Sequence, residues 1–360
     1  MKRISRLMVK KVAVLGAGMM GSAITVPLAD SGNYVNLWGT EYDVPILEHI
    51  RKTSMHPSLK ANLPKQVNVF YPEELDKALY DREVVFIAVT SDAAKTILKR
   101  ALPYMGNARK VIILSKGIHV ENDKIMSLSQ VVSEGIKSME RDIDVISVGG
   151  PCIAEELVKR VPTLGVYASY NLNSALDCKK VFETDYYKII ATDDVIGVEL
   201  CAALKNSYAI AIGWSYGLSD AGDYKTVYNL ESLLLTQAIK EMRVIVKSFG
   251  GNDETVIGPA GLGDLNVTIK KVEGRNVNFG RLLGKGMSFE EAIKCMHVSG
   301  KTTIEGVPTA IKIYEFLTRS EHLSQILDEL ILLKALTNVL KGKISVKEAL
   351  SEILEDISKD

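Results

Sequence analysis

The chain has 360 residues, more than one ordinary hydrophobic core accommodates, so two domains are expected. It is 47% hydrophobic and 24% charged, which is a globular composition. Basic and acidic residues number 44 each, and this balance argues against a nucleic-acid-binding protein, which normally carries a basic excess. The four cysteines, Cys152, Cys178, Cys201 and Cys295, lack the paired spacing of a zinc or redox motif. We therefore predict no metal site and expect a reducing, cytoplasmic environment.

The first half of the chain alternates short apolar runs with helical patterns. The runs are Val12–Leu15, Val35–Trp38, Val84–Val89, Val111–Leu114, Val145–Val148, Leu164–Tyr167 and Lys188–Ala191. Continuous runs rich in Val and Ile are typical of strands covered on both faces, and hence of a largely parallel sheet. Their alternation with helices predicts a doubly wound α/β domain over residues 1–192.

From about Asp193 onward the strand signals stop and helical segments follow. These are Val195–Ile212, Val227–Phe249, Val277–Leu283, Ser288–Met296, Pro308–Leu317, Ser324–Leu340 and Val346–Ile357. Ser288 and Ser345 each precede a glutamate by three residues, which is the spacing of a capping box. We predict an all-helical C-terminal domain over residues 193–360.

Two segments bear on targeting and membranes. Residues 1–11 are basic but contain no long apolar stretch, so they do not resemble a secretory signal. Leu200–Ser219 carries a single charge, Lys205, over nearly the length of a membrane span. It also contains several polar residues and glycines, so we interpret it as the buried central helix of a domain and predict no membrane span.

A glycine-rich loop follows the first predicted strand. Gly16, Gly18 and Gly21 form a G-x-G-x-x-G motif between a strand and a helix, the context in which this motif binds dinucleotides. Gly16 permits a tight turn, Gly18 allows a pyrophosphate to approach, and Gly21 allows the helix to pack closely on the strand. The pyrophosphate would lie on the free amides of the helix N-terminus.

The end of the second predicted strand leaves the choice of cofactor open. An NAD site usually has a carboxylate about 20 residues past the loop, where it binds the ribose 2′-hydroxyl. Here the strand ends in Trp38-Gly39-Thr40, and Glu41 and Asp43 follow slightly late. No Arg or Lys is adjacent in the sequence to bind a 2′-phosphate, so both NAD and NADP remain possible.

Lys205 lies within an apolar helix, where an unpartnered ammonium is costly. A lone lysine of this kind usually extends its head group to water. Polar and glycine-rich clusters elsewhere favour a second interpretation, in which Lys205 is a general acid in an alcohol–ketone interconversion. These clusters are Ser115-Lys116-Gly117, Gly149-Gly150-Pro151, Gly261-Leu262-Gly263-Asp264 and Gly274-Arg275-Asn276.

From about Lys10 to its C-terminus the chain resembles the bacterial and archaeal NAD(P)-dependent glycerol-3-phosphate dehydrogenases. The matching segments stand in the family's order: residues 16–21, 37–39, 115–117, 150–151, 197–200, 203–206, 261–264, 274–276 and 305–306. The resemblance implies an N-terminal Rossmann-like domain and a helical C-terminal domain. It also implies interconversion of sn-glycerol 3-phosphate and dihydroxyacetone phosphate with NAD or NADP, a role in phospholipid precursor supply, and a homodimer.

The resemblance also implies residue roles. Lys205 matches the catalytic acid, Asp264 the carboxylate that holds it, and Lys116 a lysine that contacts both cofactor and substrate. The substrate-binding positions further include Gly150, Cys152, Asn206, Gly274, Arg275 and Asn276. The cofactor-binding positions include Gly16, Gly18, Met19, Met20, Gly21, Thr40, Ala154, Arg275, Thr303 and Glu305. Arg275 stands at the predicted start of a helix, where amides and a guanidinium both suit phosphate; alone it would be interpreted as a surface arginine.

Departures from the family pattern leave an alternative. Cys152 stands where the family usually has Ser or Thr, and Leu230, Glu231 and Gln237 differ from its usual residues. A related dehydrogenase acting on another phosphorylated polyol or hydroxy acid is therefore the alternative function. A non-catalytic nucleotide-binding sensor is a third hypothesis, disfavoured because Lys116, Lys205 and Asp264 are all present.

Overall fold

The computed structural model of the chain describes residues 9–121, 124–138, 140–299 and 303–359. Two compact units are present. One comprises the chain up to Lys116 together with Met126–Glu199, and the other comprises Gly117–Ile125 and the chain from Leu200. The domain boundary before Asp193 stays a prediction; in the structure, the chain passes from one unit to the other within the helix Val195–Asp220.

The first unit is built on an eight-stranded sheet. Its strands are β1 (Lys11–Leu15), β2 (Tyr34–Trp38), β5 (Val67–Phe70), β6 (Val84–Ile87), β7 (Lys110–Ile113), β10 (Asp144–Gly149), β11 (Thr163–Ala168) and β12 (Tyr187–Thr192). All seven predicted strands are present, and β5 was not predicted. Two further two-stranded sheets are formed by β3 (Met55–His56) with β4 (Ala61–Asn62) and by β8 (Ile118–Glu121) with β9 (Lys124–Ser127).

The strand order is β12-β11-β10-β7-β6-β1-β2-β5. All neighbouring pairs are parallel except β10 and β11, as the unbroken Val- and Ile-rich runs indicate. From β1 the chain moves to β2 on one side and later to β6 on the other side. The strand order therefore reverses at the carboxyl end of β1, which is where open α/β sheets form a ligand crevice.

Helices cover both faces of this sheet. They are α1 (Met19–Asp30), α2 (Val44–Thr53), α3 (Leu75–Leu79), α4 (Ser91–Ala101), α5 (Leu128–Lys137), α6 (Ala154–Leu157) and α7 (Leu172–Phe182). Alternate residues of β1 enter two separate cores: Val12 packs with residues of α1 and α7, and Ala13 packs with residues of α3, α4 and α5. The predicted doubly wound α/β fold is confirmed.

The chain beyond Asp193 is helical throughout its described residues, as predicted. The helices are α8 (Val195–Asp220), α9 (Tyr228–Ser248), α10 (Asp253–Ile257), α11 (Asp264–Lys270), α12 (Arg275–Gly284), α13 (Phe289–Val298), α14 (Gly306–Arg319), α15 (Ile331–Leu340) and α16 (Val346–Ile357). Both predicted capping boxes are present: Ser288 with Glu291 and Ser345 with Glu348 cap α13 and α16.

The predicted single helix Ser324–Leu340 was wrong. Ser324–Glu329 forms a 3₁₀ helix, Leu330 leaves the helical region, and α15 starts afresh at Ile331. The buried Glu241 carboxylate accepts the amides of Leu332 and Leu333 at 2.6 and 2.9 Å. A carboxylate on the first amides favours a new helix N-terminus at this position, and hydrophobic periodicity cannot reveal it.

Helix α8 is the central helix of the second unit. It is long and apolar enough to cross a membrane, but 94% of its most apolar 18-residue window is buried inside the protein. Glycines allow α12 to cross α8 closely: a Cβ on Gly280 would overlap the Ile210 carbonyl oxygen, and one on Gly213 would overlap that of Val277. The helix is therefore a core helix, as predicted.

Candidate functional site

The glycine loop lies at the crevice of the sheet. The Gly16 amide donates to the Trp38 carbonyl oxygen at 2.7 Å, which ties the loop to the end of β2. Gly16 has φ +116°, and a Cβ there would lie 2.6 Å from the Ala88 oxygen beyond β6. A Cβ on Gly21 would overlap the Gly16 carbonyl oxygen, whereas Gly18 faces open space. Each glycine thus has the steric situation that its predicted role requires.

Helix α1 begins directly after this loop. Its first residue, Met19, is exposed, Met20 is half-buried, and no side chain caps the N-terminus at Gly18. The amides of the first turn of a helix lack intrahelical partners and favour an anion. The open face at Gly18 and this uncapped helix N-terminus fit a dinucleotide pyrophosphate.

Two side chains that the sequence analysis did not assign support the loop. Asp43 Oδ2 accepts the Thr40 amide at 2.8 Å, the Thr40 hydroxyl at 2.9 Å and the Ala17 amide at 3.4 Å. The His56 ring lies 3.2 Å from the Ala17 oxygen, and its Nδ1 accepts the Leu59 amide. Burial lowers the pKa of His56, so the ring is neutral and its Nε2–H donates to Ala17. The spacing of Thr40 and Asp43 is a recognisable capping signal; nothing in the sequence singles out His56.

A basic residue does reach the end of β2, although none is adjacent in the sequence. Arg100, in the last turn of α4, donates to both carboxylate oxygens of Glu41 at 2.9 and 3.2 Å. The absence of an adjacent Arg or Lys in the sequence therefore does not mean that the end of β2 lacks a basic group. The two residues are 59 positions apart, and only the packing of α4 on the sheet brings them together.

Other predicted site residues of this unit follow the carboxyl ends of parallel strands. Lys116 comes three residues after β7, and Ser115 before it donates to the Val89 oxygen at 2.5 Å. Gly150 directly follows β10 with φ +104°, and a Cβ there would lie 2.9 Å from the Leu164 oxygen. Cys152 is half-buried, and Ala154 is buried at the start of α6. These positions share the sheet edge of the glycine loop, because β1, β6, β7 and β10 run parallel.

In the helical unit, Lys205 and Asp264 form a buried ion pair. Lys205 Nζ donates to Asp264 Oδ1 and lies 3.2 Å from the Thr268 hydroxyl. Only 6% of Lys205 and 1% of Asp264 is exposed. The lysine head group therefore does not extend to bulk water as a snorkelling side chain would, and it meets a carboxylate instead.

The local fold around Asp264 explains its position. One turn of π-helix, Pro259–Gly263, precedes it, and a Cβ on Gly261 would overlap the Val256 carbonyl oxygen. Asp264 then begins α11 and points its side chain at Lys205. Thr268, which the sequence analysis missed, lies one turn later and donates to the Asp264 carbonyl oxygen at 2.6 Å. The i, i+4 spacing from Asp264 is the only sequence signal for this threonine.

A hydrogen-bonded cluster joins α8, α12 and the start of α14. Asn206 Nδ2 donates to Glu305 Oε2 at 3.2 Å, and Asn276 Oδ1 accepts the Gly306 amide at 3.0 Å. A Cβ on Gly306 would overlap the Asn206 carbonyl oxygen, so this approach requires glycine. Three predicted positions, Asn206, Asn276 and Glu305, are thus brought together, while Thr303 lies exposed two residues before Glu305.

Arg275 occupies the first position of α12, as predicted. Gly274 is the N-cap residue of α12, and no side chain caps this end of the helix. The Arg275 guanidinium is exposed, whereas Asn276 beside it is buried in the cluster. An exposed guanidinium next to free helix amides can bind a phosphate dianion.

Two family models match this chain and together span most of it. The N-terminal domain of NAD-dependent glycerol-3-phosphate dehydrogenase matches residues 11–175, and the C-terminal domain of the same family matches residues 194–351. The chain is also 37% identical to the NADP(+)-dependent glycerol-3-phosphate dehydrogenase of Archaeoglobus fulgidus, over 95% of this chain and 98% of that protein. This chain belongs to the NAD-dependent glycerol-3-phosphate dehydrogenase family. The resemblance inferred from the sequence is confirmed.

Further members of the glycerol-3-phosphate dehydrogenase family match in sequence and structure. The glycerol-3-phosphate dehydrogenase [NAD(P)+] of Pediococcus pentosaceus is 33% identical over 96% of this chain and 97% of its own length. The crystal structure of the Coxiella burnetii glycerol-3-phosphate dehydrogenase superposes with a TM-score of 0.80 at 27% identity, covering 96% of this chain and 99% of that one. These matches support the two-part fold over nearly the whole chain.

One departure from the pattern of this dehydrogenase family has a structural explanation. Gln237 is buried, and its Nε2 donates to Glu241 at 2.8 Å within α9. Its side chain therefore serves the packing of α9 against α15, where Glu241 caps the new helix. Cys152, another of the departures, is half-buried beyond β10.

Proposed function

We propose that this enzyme interconverts sn-glycerol 3-phosphate and dihydroxyacetone phosphate with NAD or NADP as cofactor. The buried pair of Lys205 and Asp264 carries the proposal, because it places a positioned proton donor within a chain that also has a dinucleotide loop. The relatives from Archaeoglobus fulgidus and Pediococcus pentosaceus, both glycerol-3-phosphate dehydrogenases, support the same substrate.

Lys205 is the proposed acid of the reduction. When bound, the reduced nicotinamide supplies the hydride that adds to the carbonyl carbon. Negative charge then develops on the carbonyl oxygen, and the Lys205 ammonium stabilises this charge and transfers its proton to give the alcohol. Asp264 and Thr268 hold the ammonium in place, so little reorganisation accompanies the step. In the oxidative direction, neutral Lys205 accepts the hydroxyl proton.

Arg275 is the proposed phosphate-binding residue. Its guanidinium and the first amides of α12 offer several donors to the three phosphate oxygens. The Asn276 side chain accepts the Gly306 amide, and the Asn206 side chain donates to Glu305. Through the start of α14, these two side chains therefore connect the start of α12 to α8. From the family resemblance we assign substrate contacts also to Gly150, Cys152 and Gly274, and both substrate and cofactor contacts to Lys116.

The proposed cofactor residues are the loop from Gly16 to Gly21 and Thr40. Ala154, Arg275, Thr303 and Glu305 are added on the family resemblance alone. Glu305 is bonded to Asn206 in this structure, so a cofactor contact would have to use its remaining lone pairs.

The substrate is tested by following the absorbance of reduced nicotinamide with dihydroxyacetone phosphate and a panel of related compounds. The panel contains phosphorylated three-, four- and five-carbon ketoses, unphosphorylated dihydroxyacetone and small keto acids. We expect dihydroxyacetone phosphate to be turned over most efficiently. A clear preference for a longer phosphate or a keto acid would establish the alternative function instead, for which Cys152 and Gln237 are the motivating departures. Cofactor binding without turnover of any panel member would indicate a sensor.

We further propose that the enzyme is a cytoplasmic homodimer that supplies glycerol 3-phosphate for phospholipid synthesis. The exposed thiol of Cys295 and the buried thiol of Cys178 suit a reducing compartment. Size-exclusion chromatography with light scattering tests the dimer, for which twice the 39.5 kDa chain mass is expected. A monomeric mass that persists at micromolar concentration would contradict it.

A further inference from the structure

Glu41 and Arg100 form a bidentate ion pair just beyond the carboxyl end of β2. Two parallel N–H···O contacts of 2.9 and 3.2 Å join the guanidinium to both carboxylate oxygens. The Arg100 hydrogen bonds hold the pKa of Glu41 below its usual value, so the carboxylate is charged at neutral pH. Both side chains are solvent-accessible, with 38% of Arg100 and 60% of Glu41 exposed. The pair can therefore open to admit a ligand.

This pair occupies the place where dinucleotide sites distinguish NAD from NADP. In βαβ dinucleotide folds a carboxylate at the end of the second strand binds the ribose 2′-hydroxyl, or an arginine nearby accommodates a 2′-phosphate. Gly16 binds the end of β2 directly through the Trp38 oxygen, so the loop and this strand end belong to one site. Thr40 itself carries no charge.

Of the two carboxylates that follow β2, Glu41 is the more exposed. The second, Asp43, is occupied by Thr40 and by the Ala17 amide of the glycine loop, so it serves the loop. Glu41 has Arg100 as its charged partner instead. Glu41 and Arg100 thus offer a ribose at this strand end one carboxylate and one guanidinium.

The Arg100 guanidinium is held at this strand end by an aromatic surface. It lies over the ring of Trp38, 5.5 Å from its centroid, and Trp38 is fully buried as the last residue of β2. A planar guanidinium supported in this way presents its fork to a carboxylate or a phosphate with little loss of conformational freedom.

We infer that Arg100 binds the 2′-phosphate of NADPH, with Glu41 as the built-in competitor that the phosphate displaces. The inference rests on the proposed dinucleotide-dependent function. It gives this chain a basic group for the 2′-phosphate that comes from α4 and not from the residues adjoining β2. Glu41 repels the 2′-phosphate and pairs with Arg100, the residue that binds it. Glu41 therefore reduces the preference for NADPH.

The test measures binding by titration calorimetry with adenosine 2′,5′-bisphosphate and adenosine 5′-monophosphate, which differ only in the 2′-phosphate. Arg100→Ala should weaken binding of the bisphosphate and of NADPH about 10- to 100-fold, since a charge-assisted contact is lost. Binding of the monophosphate and of NADH should change less than about twofold. Arg51→Ala is the matched control: Arg51 also pairs with a glutamate, Glu74 at 2.9 Å, and lies over an aromatic ring, that of Tyr71.

A second variant tests the competitor. Glu41→Gln should strengthen binding of the bisphosphate several-fold, because a repelling charge is removed and Arg100 is released. Arg100→Lys keeps the charge but not the planar fork, so it should retain part of the selectivity for the bisphosphate. If Arg100→Ala lowers the thermal midpoint, Arg100→Lys distinguishes the loss of the phosphate contact from a purely structural effect.

The outcomes separate the two proposals. Equal weakening for both adenosine ligands, or no weakening, in a folded Arg100→Ala protein would overturn the assignment of Arg100 while leaving the dehydrogenase proposal intact. Failure of the wild-type protein to bind NADH or NADPH at all would overturn the proposed function itself.

Discussion

Lys205 on α8 and Asp264 on α11 meet in a buried ion pair, although 59 residues separate them in the chain. The Thr268 hydroxyl is a second oxygen partner of the ammonium. A charge removed from water in this way is stable only with its partner, and removing one member leaves the other uncompensated. The pair therefore links the chemistry of the site to the stability of the helical unit, and the two effects must be measured separately.

Replacing Lys205 by Met should abolish most of the turnover. The variant keeps the aliphatic stem but lacks the proton donor, and loss of such a group typically lowers the rate about 10² to 10⁴-fold. The folded protein should also become less stable, by about 3–5 kcal/mol, because the buried Asp264 carboxylate loses its ammonium partner. Steady-state turnover and the thermal midpoint of the same preparation provide the two measurements.

A double variant, Lys205→Met with Asp264→Asn, is the control for that experiment. Removing the carboxylate charge that has lost its ammonium partner should restore part of the lost stability without restoring turnover, because the proton donor is still absent. Cofactor binding should be retained in both variants, since the glycine loop belongs to the other compact unit. Near wild-type turnover in either folded variant would refute the catalytic assignment of Lys205.

Replacing Arg275 by Ala should raise the Michaelis constant for dihydroxyacetone phosphate. A charge-assisted phosphate contact of roughly 2–4 kcal/mol is removed, while α12 keeps its N-cap at Gly274. Unphosphorylated dihydroxyacetone should be a poor substrate whose kinetics do not respond to the change. The control is Arg243→Ala, an exposed arginine that pairs with Asp253 on the same unit. Equal losses with both substrates would show that Arg275 supports the fold.

Both NADH and NADPH should support turnover, with efficiencies within about two orders of magnitude of each other. The end of β2 offers one carboxylate and one guanidinium, and a single hydrogen-bond or charge contact contributes roughly 1–3 kcal/mol. Comparing kcat/KM for the two cofactors at saturating dihydroxyacetone phosphate measures this ratio. A cofactor that proves wholly inert would contradict the prediction.

Glu241 should make the stability of the enzyme depend on pH near neutrality. Burial raises its pKa from 4.5 to about 7, although Gln237, Leu332, Leu333 and Tyr208 donate hydrogen bonds to it. The folded state therefore holds the proton to higher pH than the unfolded state does. The stabilisation is complete below about pH 4.5 and is lost as the pH rises to about 7, by at most about 3 kcal/mol.

The Glu241→Gln variant checks this prediction. Its unfolding free energy, measured by urea titration from about pH 5 to about pH 8, should lack the decline seen in the wild type. The glutamine also places an NH₂ donor against groups that donate to Glu241, so the variant is less stable at every pH. The informative quantity is therefore the change of unfolding free energy with pH. Glu254→Gln, at an exposed position on α10, should leave the slope unchanged. An unchanged slope in Glu241→Gln would contradict the raised pKa.

Much of the fold was predictable because its signals are local. Strands buried on both faces require unbroken apolar runs, and all seven such runs formed strands. Strand β5 was not predicted because an asparagine interrupts its apolar residues and because it lies at the sheet edge, where burial is partial. The helix start at Ile331 escaped because it depends on Glu241, about 90 positions earlier in the chain.

The site was predictable only where its residues belong to ordered motifs. The glycine loop, Lys205 and Asp264 could be located from the sequence, but the bond between Lys205 and Asp264 was implied only by the family resemblance and by no local pattern. His56 and Arg100 were not found, because each acts through a partner distant in sequence. Periodicity and capping rules describe neighbours along the chain and contain no information about which exposed arginine will approach which strand end.

The close crossing of α8 and α12 limits how this enzyme can be changed in the laboratory. Gly213 and Gly280 bring the two backbones together without an intervening layer of side chains. Such a junction has no rotamers to readjust, so even a methyl group there must move a whole helix. Directed evolution toward other substrates should therefore accept mutations at the free start of α12, around Arg275, and reject them in the middle of the crossing.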